Sequence, residues 1–135
     1  MRNRDLAADY ITRAGWRVKA LDVLFEGESW ADVVRESQEV VELALKALLR
    51  ACGIDPPRVH DVSDVLLDER DRLPAALHPE IDMLAAASRE LRRDRELAFY
   101  GAEDLTPSEF YVRADAERAR TSARRVVELV AAHID

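Results

Sequence analysis

The chain has 135 residues, of which 48% are hydrophobic and 35% charged, with only 4 Gly and 5 Pro. This length and composition predict one folded, helix-rich domain over residues 1–135 and exclude a disordered chain. The 27 acidic residues outnumber the 20 basic ones, for a net charge of −7. This balance argues against broad electrostatic binding to nucleic acid but leaves room for a local basic patch.

The single cysteine and the hydropathy pattern indicate the cellular location. Cys52 has no partner for an intrachain disulfide, which favours a reducing, cytoplasmic environment. The N-terminus lacks an apolar leader and no 18 uncharged apolar residues run together, so neither secretion nor a membrane span is expected. No C-x-x-C pair or close histidine cluster offers metal-ligand spacing, and we expect no metal and no other cofactor.

Two long helices are predicted in the first half of the chain. Apolar residues recur at steps of three and four from Ala7 to Phe25, and Gly27 is a plausible stop. The stretch "SWAD" opens the second helix at Ser29, whose hydroxyl can accept a hydrogen bond from a free backbone N–H of the first turn. This helix runs to Cys52, and the following "GIDPP" cannot continue it.

The second half predicts a short helix and two long ones. Residues 61–73 favour the short helix, which Pro74 ends, and Pro79 then opens a long helix that reaches Tyr100. The last helix is predicted to begin at "TPSE", with Thr106 as cap and Glu109 completing a capping box. Its predicted buried face holds six residues: Val112, Ala116, Ala119, Ala123, Val126 and Val130. The fold class is therefore all-α, an up-and-down four-helix bundle with an additional short helix.

The histidines are not predicted to form a site. His60 precedes Asp61, but such a pair binds a metal only with further ligands. His78 and His133 lie at a helix start and near the chain end, so they do not supply those ligands. We interpret His60 as a loop residue beside a helix cap.

The stretch "RRDRELAFYG", residues 92–101, contains the main candidate residues. Arg92 and Arg93 are typical of a solvated helix face with ion pairs. Arg95 falls on the apolar stripe of its helix, where a guanidinium with five donors must be met by a carboxylate or a bound anion. Tyr100 lies about 140° from Arg95 around a regular helix, so the two converge only if the helix loosens before Gly101 or across a dimer.

Residues 29–67 carry a resemblance to a known family. Gln38, Glu42 and the run "KALL" match the helix pattern Q-x-x-x-E-x-x-x-K-A-L-L, and "GIDPP" followed by His60 and Asp61 matches the family's G-I-x-P-P and H-D. The stretches "RELAFYG" and "DAERARTSARRVVELV" agree more loosely. The sequence therefore resembles a HEPN domain, of the higher eukaryotes and prokaryotes nucleotide-binding family, over nearly its whole length.

This resemblance implies a helical bundle that assembles as a homodimer. Catalytically active members are metal-independent endoribonucleases with an R-x4-6-H motif near the end of the penultimate long helix, and the matching arginine is Arg95. Tyr100 stands where the family's histidine is expected, and a tyrosine is nearly always protonated near neutral pH, so we interpret the site as degenerate. Tyr100 can still donate a hydrogen bond or stack on a base, although aromatic packing is the simpler interpretation of Phe99 and Tyr100.

Three functions are compatible with these residues. The first is a binding and regulatory protein that acts with a separate minimal nucleotidyltransferase, as similar small proteins do in toxin–antitoxin-like pairs. The alternatives are a metal-independent endoribonuclease and a nucleotide-binding module that use the same arginine cleft. The predicted RNA- or nucleotide-binding residues are Arg92, Arg95 and Tyr100, and the homodimer contact is predicted to include the Arg95 face of the fourth helix, which runs from Pro79 to Tyr100.

Overall fold

The structure, a computed structural model, describes residues 2–134, except for the side chains of Arg2, Arg95 and Glu96. The described chain forms the helices α1 (Arg2–Glu26), α2 (Trp30–Ala51), α3 (Ser63–Asp68), α4 (Ile81–Tyr100), α5 (Pro107–Phe110) and α6 (Arg113–His133), with 3₁₀ turns at Arg70–Arg72 and Ala75–Glu80. Within these residues there is no strand, and Ala102 and Leu105 form an isolated bridge. The all-α fold is confirmed, with α1, α2, α4 and α6 as the long helices of the bundle.

Helix α2 forms the centre of the bundle. Its side chains Val33, Val40, Leu45 and Leu48 are fully buried, because α1, α4 and α6 all pack against it. Burial of each such side chain contributes about 1.5–3 kcal/mol to folding, so α2 anchors the other long helices. Helices α4 and α6 contact each other far less than they contact α2, which leaves a depression between them.

The start of α2 differs in detail from the prediction. Ser29 accepts no backbone N–H with its side chain. Its hydroxyl instead donates to Oδ2 of Asp32 at 2.7 Å. The Asp32 carboxylate still lies in the first turn, where the positive end of the helix dipole favours a negative charge. The predicted cap hydrogen bond was therefore wrong, while the predicted N-cap residue, Ser29, and the predicted helix start were correct.

The last long helix begins later than "TPSE" predicts. Residues 107–110 form one helical turn, and α6 begins after Val112, where the Asp115 carboxylate accepts the backbone N–H of Val112 at 3.0 Å. Thr106 makes no side-chain cap hydrogen bond. Tyr111 and Val112 lie between the two helices, where Tyr111 is buried and Val112 is 53% exposed. The prediction that Val112 lies on the buried face of the last helix was therefore wrong. The other five predicted positions of that face are buried.

The connection between α2 and α4 is more irregular than predicted. Residues 61–73 contain α3 and a 3₁₀ turn rather than one helix. Pro79 lies inside the second 3₁₀ turn, so α4 begins at Ile81 instead of beside the proline. No helix in residues 2–134 is both long and apolar enough to cross a membrane.

Candidate functional site

Three arginines lie on one side of α4. Arg89, Arg92 and Arg93 are three and four residues apart, which makes them neighbours on a helix surface. Arg89 and Arg93 are exposed and Arg92 is half-buried. None of the three forms a hydrogen bond or an ion pair with a side chain in the described part of the chain. These guanidinium groups therefore keep their donors available for an external acceptor.

Tyr100 is the last residue of α4 and lies on the same side of the helix as these arginines. It follows Arg89 by eleven residues, which places it about 20° from Arg89 around the helix axis. Its side chain is 73% exposed, and it lines a depression of about 360 Å³ together with Arg93, Leu97 and Gly101. We call Arg89, Arg92, Arg93 and Tyr100 the α4 arginine surface.

Gly101 fixes the position at which α4 ends. Its φ of 77° is in the left-handed region, and a Cβ there would lie 2.4 Å from the carbonyl oxygen of Leu105. Ala102 and Leu105 exchange two backbone hydrogen bonds of 3.1 and 3.0 Å, which close the turn. The glycine thus allows a tight return of the chain and leaves Tyr100 at an exposed helix end.

Phe99 and Tyr100 differ in their environment. Their rings meet edge to face, with centroids 4.6 Å apart. The guanidinium carbon of Arg35, on α2, lies 4.7 Å from the centre of the Phe99 ring, which attaches the end of α4 to α2. Aromatic packing therefore accounts for Phe99, which is 48% exposed, better than for Tyr100.

His60 belongs to a polar network around Glu42. Oε1 of Glu42 contacts Nδ1 of His60 at 2.7 Å and accepts from Nε2 of Gln38 at 3.1 Å, while Oε2 accepts from Nζ of Lys46 at 2.9 Å. Burial is the largest influence on the pKa of Glu42 and raises it, but the hydrogen bonds from Lys46, His60 and Gln38 together lower that pKa below its ordinary value. In the part of the chain that the structure describes, no three His, Cys, Asp or Glu residues come together as metal ligands.

Asp61 joins the same loop to α4. Its Oδ1 accepts from the backbone N–H of Ser63 at 2.9 Å and from the hydroxyl of Ser88 at 3.2 Å. The Ser88 hydroxyl in turn accepts the backbone N–H of Val62 at 3.0 Å. Ser88 precedes Arg92 by one helical turn, so the loop meets α4 next to the arginine surface. The motif residues of α2 and of this loop therefore hold the scaffold of the site together.

The match to known proteins agrees with this architecture. A family model described as HEPN domain matches residues 7–133, which include the Glu42 network and all of α4. The chain belongs to the HEPN domain family. The crystal structure of an archaeal HEPN homologue matches with a TM-score of 0.72 and 23% sequence identity, over 96% of this chain and 98% of that chain. At this identity the likeness concerns the fold. No curated protein matches the chain in sequence.

The binding residues predicted for this HEPN domain are only partly brought together. Arg92 and Tyr100 both lie on α4, but they are about 80° apart around its axis, and Tyr100 shares its depression with Arg93 instead. The side chain of Arg95 lies outside the described residues, so its role stays a prediction. Arg93 is exposed and Arg92 half-buried, as expected for a solvated helix face, but neither forms an ion pair with a described side chain. The seven-residue spacing of Arg93 and Tyr100, two helical turns, is the signal that could have identified Arg93.

Proposed function

We propose that this HEPN domain is a binding and regulatory protein that holds RNA or a nucleotide on the α4 arginine surface. The observation that supports this proposal is the set of three arginines without a carboxylate partner among the described side chains, in a chain of net charge −7. A guanidinium presents paired N–H donors that match phosphate oxygens, and it is charged at every physiological pH. Tyr100 adds an exposed aromatic face on which a base can stack.

Binding without efficient cleavage is the expected behaviour of this surface. Cleavage of RNA at the 2′-hydroxyl needs a group that exchanges a proton near neutral pH. The Tyr100 hydroxyl has no hydrogen bond to a described side chain, so none of the described side chains acts as a base toward it. The proposed ligand would therefore be retained on α4 rather than cut.

We also propose that the protein works as a homodimer with a separate minimal nucleotidyltransferase, in a toxin–antitoxin-like pair. The family resemblance of the sequence supports this partnership. Exposed apolar side chains offer a contact surface for another chain: Phe99, at the end of α4, and Val112, before α6, are each about half exposed. Light scattering at micromolar concentration should give twice the chain mass, and a nucleotidyltransferase encoded next to this chain should co-purify with it. A clean monomer that co-purifies with no such enzyme would contradict this part of the proposal.

The experiment that tests ligand binding compares two pairs of arginines. Fluorescence anisotropy measures the affinity of labelled single-stranded RNA for the wild type, for Arg92→Ala/Arg93→Ala, and for Arg113→Ala/Arg125→Ala as a matched control on α6. The α4 pair should weaken binding at least ten-fold more than the α6 pair, although both remove two charges. Equal losses would mean that net charge alone, and not the α4 surface, attracts RNA.

A metal-independent endoribonuclease is the second candidate, because of His60. Its Nδ1 contacts the Glu42 carboxylate, which leaves Nε2 on the opposite side of a ring that is 42% exposed. Carboxylates orient catalytic imidazoles in this way. RNA incubated with the wild type in chelator should stay intact under the binding proposal. Cleavage that disappears in His60→Gln would instead support the nuclease.

A further inference from the structure

The depression between α4 and α6 is a preformed cavity beside Arg93. Its volume of about 350 Å³ lies in the range of cavities that hold small ligands. The two helices leave this space because small side chains, Ala87 on α4 and Ala119 on α6, line it from either side. The buried Val34 of α2 adds an apolar surface, and Phe110 lines the cavity with a ring that is 52% exposed.

Two carboxylates on α4, those of Glu90 and Asp94, line the cavity and have oxygens without a partner among the described side chains. The Tyr111 hydroxyl donates to Oδ1 of Asp94 at 3.3 Å, which leaves Oδ2 of Asp94 open. Burial, and then the adjacent Asp94 charge, raise the pKa of Tyr111 well above its ordinary value, so the phenol keeps its proton and stays a donor. The Glu90 carboxylate is exposed and bonds to no described side chain. The cavity thus presents two carboxylates on one helix.

The other charged residues that line the cavity are Arg118 and Asp115, which pair with each other, and Arg93, which has no partner among the described side chains. Arg118 donates to Oδ1 of Asp115 at 2.6 Å, while Oδ2 of Asp115 accepts the backbone N–H of Val112. Arg118 and Asp115 therefore offset each other's charge, and Asp115 also accepts a hydrogen bond at the start of α6. Arg93 lines both this cavity and the depression under Tyr100, so a ligand in the cavity has a free guanidinium at its side.

We infer that the cavity holds the base of a nucleotide whose phosphate lies on Arg93, and that it selects a base with an amino group, guanine above all. This inference rests on the proposed binding of RNA or a nucleotide to the α4 arginine surface. Guanine presents two adjacent N–H donors, N1–H and the 2-amino group, that match the two oxygens of a carboxylate. Uracil presents carbonyl oxygens on both sides of its single N–H, and these oxygens repel the carboxylates of Glu90 and Asp94. The ring of Phe110 provides a surface for stacking.

The inference is tested by measuring base preference at fixed salt. Fluorescence anisotropy compares an oligouridine with an oligonucleotide of the same length that alternates guanine and uracil. One well-formed bidentate contact distinguishes bases by about 1–3 kcal/mol, so the wild type should bind the guanine-containing strand at least five-fold more tightly. In Glu90→Gln/Asp94→Asn the preference should fall to about one, without weaker binding of oligouridine. Asp64→Asn/Glu128→Gln, which removes two exposed carboxylates away from the cavity, should keep the preference.

The outcomes separate this inference from the proposed function. Equal affinity of the wild type for both strands, or a preference that survives Glu90→Gln/Asp94→Asn, overturns the base selection and leaves phosphate binding intact. A wild type that binds neither strand overturns both. Because Asp94 also holds Tyr111, thermal unfolding of each variant is recorded, and Glu90→Gln alone decides the matter if Asp94→Asn is unfolded.

Discussion

Helices α4 and α6 are both rich in arginine, but they use it differently. Every arginine of α6 has a carboxylate partner: Arg113 with Glu117, Arg118 with Asp115, Arg120 and Arg124 with Asp22, and Arg125 with Glu80. The three described arginines of α4 have none among the described side chains. Two helices of similar composition therefore differ in what their charges can do. Arginines on α6 contribute to internal contacts, whereas those on α4 can receive an anion.

The α6 pairs also explain how α1 is attached. Asp22, on α1, accepts from Arg120 at 3.1 Å and from Arg124, while the guanidinium carbon of Arg120 lies 3.7 Å from the centre of the Phe25 ring. A guanidinium over an aromatic ring gains from the charge distribution of the ring as well as from the ion pair. Pairing, and not the number of arginines, therefore distinguishes the structural charges of α6 from the available charges of α4.

The largest expected effect is a gain of cleavage on α4. Tyr100→His places a group that titrates near neutral pH beside the unpaired arginines, and a general base typically contributes about 10² to 10⁴ in rate. Thr121→His is the matched control, because it lies on α6 between the paired Arg118 and Arg125. Gel analysis of RNA incubated in chelator should show products for Tyr100→His alone. Products from both variants would mean that unpaired arginines make no difference to the chemistry.

The second effect concerns the glycine that ends α4. Gly101→Ala should destabilise the fold by about 1–2 kcal/mol, because a left-handed conformation disfavours a Cβ and this one would meet the Leu105 carbonyl oxygen. Gly15→Ala is the control in α1, where an added Cβ meets nothing within 4 Å and should stabilise the helix by about 0.5–1 kcal/mol. Urea unfolding measures both. A neutral Gly101→Ala would show that the turn after Tyr100 adapts easily.

A smaller effect is expected on the free energy of unfolding, which should depend more on the paired arginines of α6 than on the unpaired arginines of α4. Arg120→Ala removes an ion pair and a ring contact, so it should lower the free energy of unfolding by about 1–2 kcal/mol. Arg92→Ala removes no hydrogen bond, ion pair or ring contact with a described side chain and should change that free energy by less than about 0.5 kcal/mol. Urea unfolding of the two variants checks the difference. If Arg92→Ala proves as damaging as Arg120→Ala, the α4 arginines are structural after all.

The smallest expected effect is a dependence of the stability on pH that comes from Glu42 on α2. The hydrogen bonds to Glu42 lower its pKa, so the folded protein binds a proton there less readily than the unfolded chain does. The resulting stabilisation is fully present above the unfolded pKa of about 4.3 and is lost as the pH falls through the lower folded value. The melting temperature of the wild type should therefore drop more steeply than that of Glu42→Gln below that pH. Parallel curves would contradict the lowered pKa.

The long helices were predictable because their stripes and stops are local features of the sequence. The start of α6 was not, since both "TPSE" and Asp115 are valid start signals, and the burial of Tyr111 against Asp94 favours the later one. The lack of an ion pair at Arg93 was unpredictable for a similar reason. Whether a guanidinium finds a carboxylate depends on distances between elements in the folded chain, which the pattern along one helix does not contain.

The salt dependence of RNA binding tests the central claim most directly. For a single strand, each phosphate neutralised by an arginine contributes about −0.7 to the slope of log affinity against log salt concentration. Arg89→Ala/Arg92→Ala/Arg93→Ala should therefore reduce the steepness of the wild-type slope by about 2. Arg113→Ala/Arg124→Ala/Arg125→Ala, with the same change in net charge, should leave the slope nearly unchanged. Similar slopes for the wild type and the α4 variant, or an equal loss of slope in the α6 variant, would contradict the assignment of phosphate binding to α4.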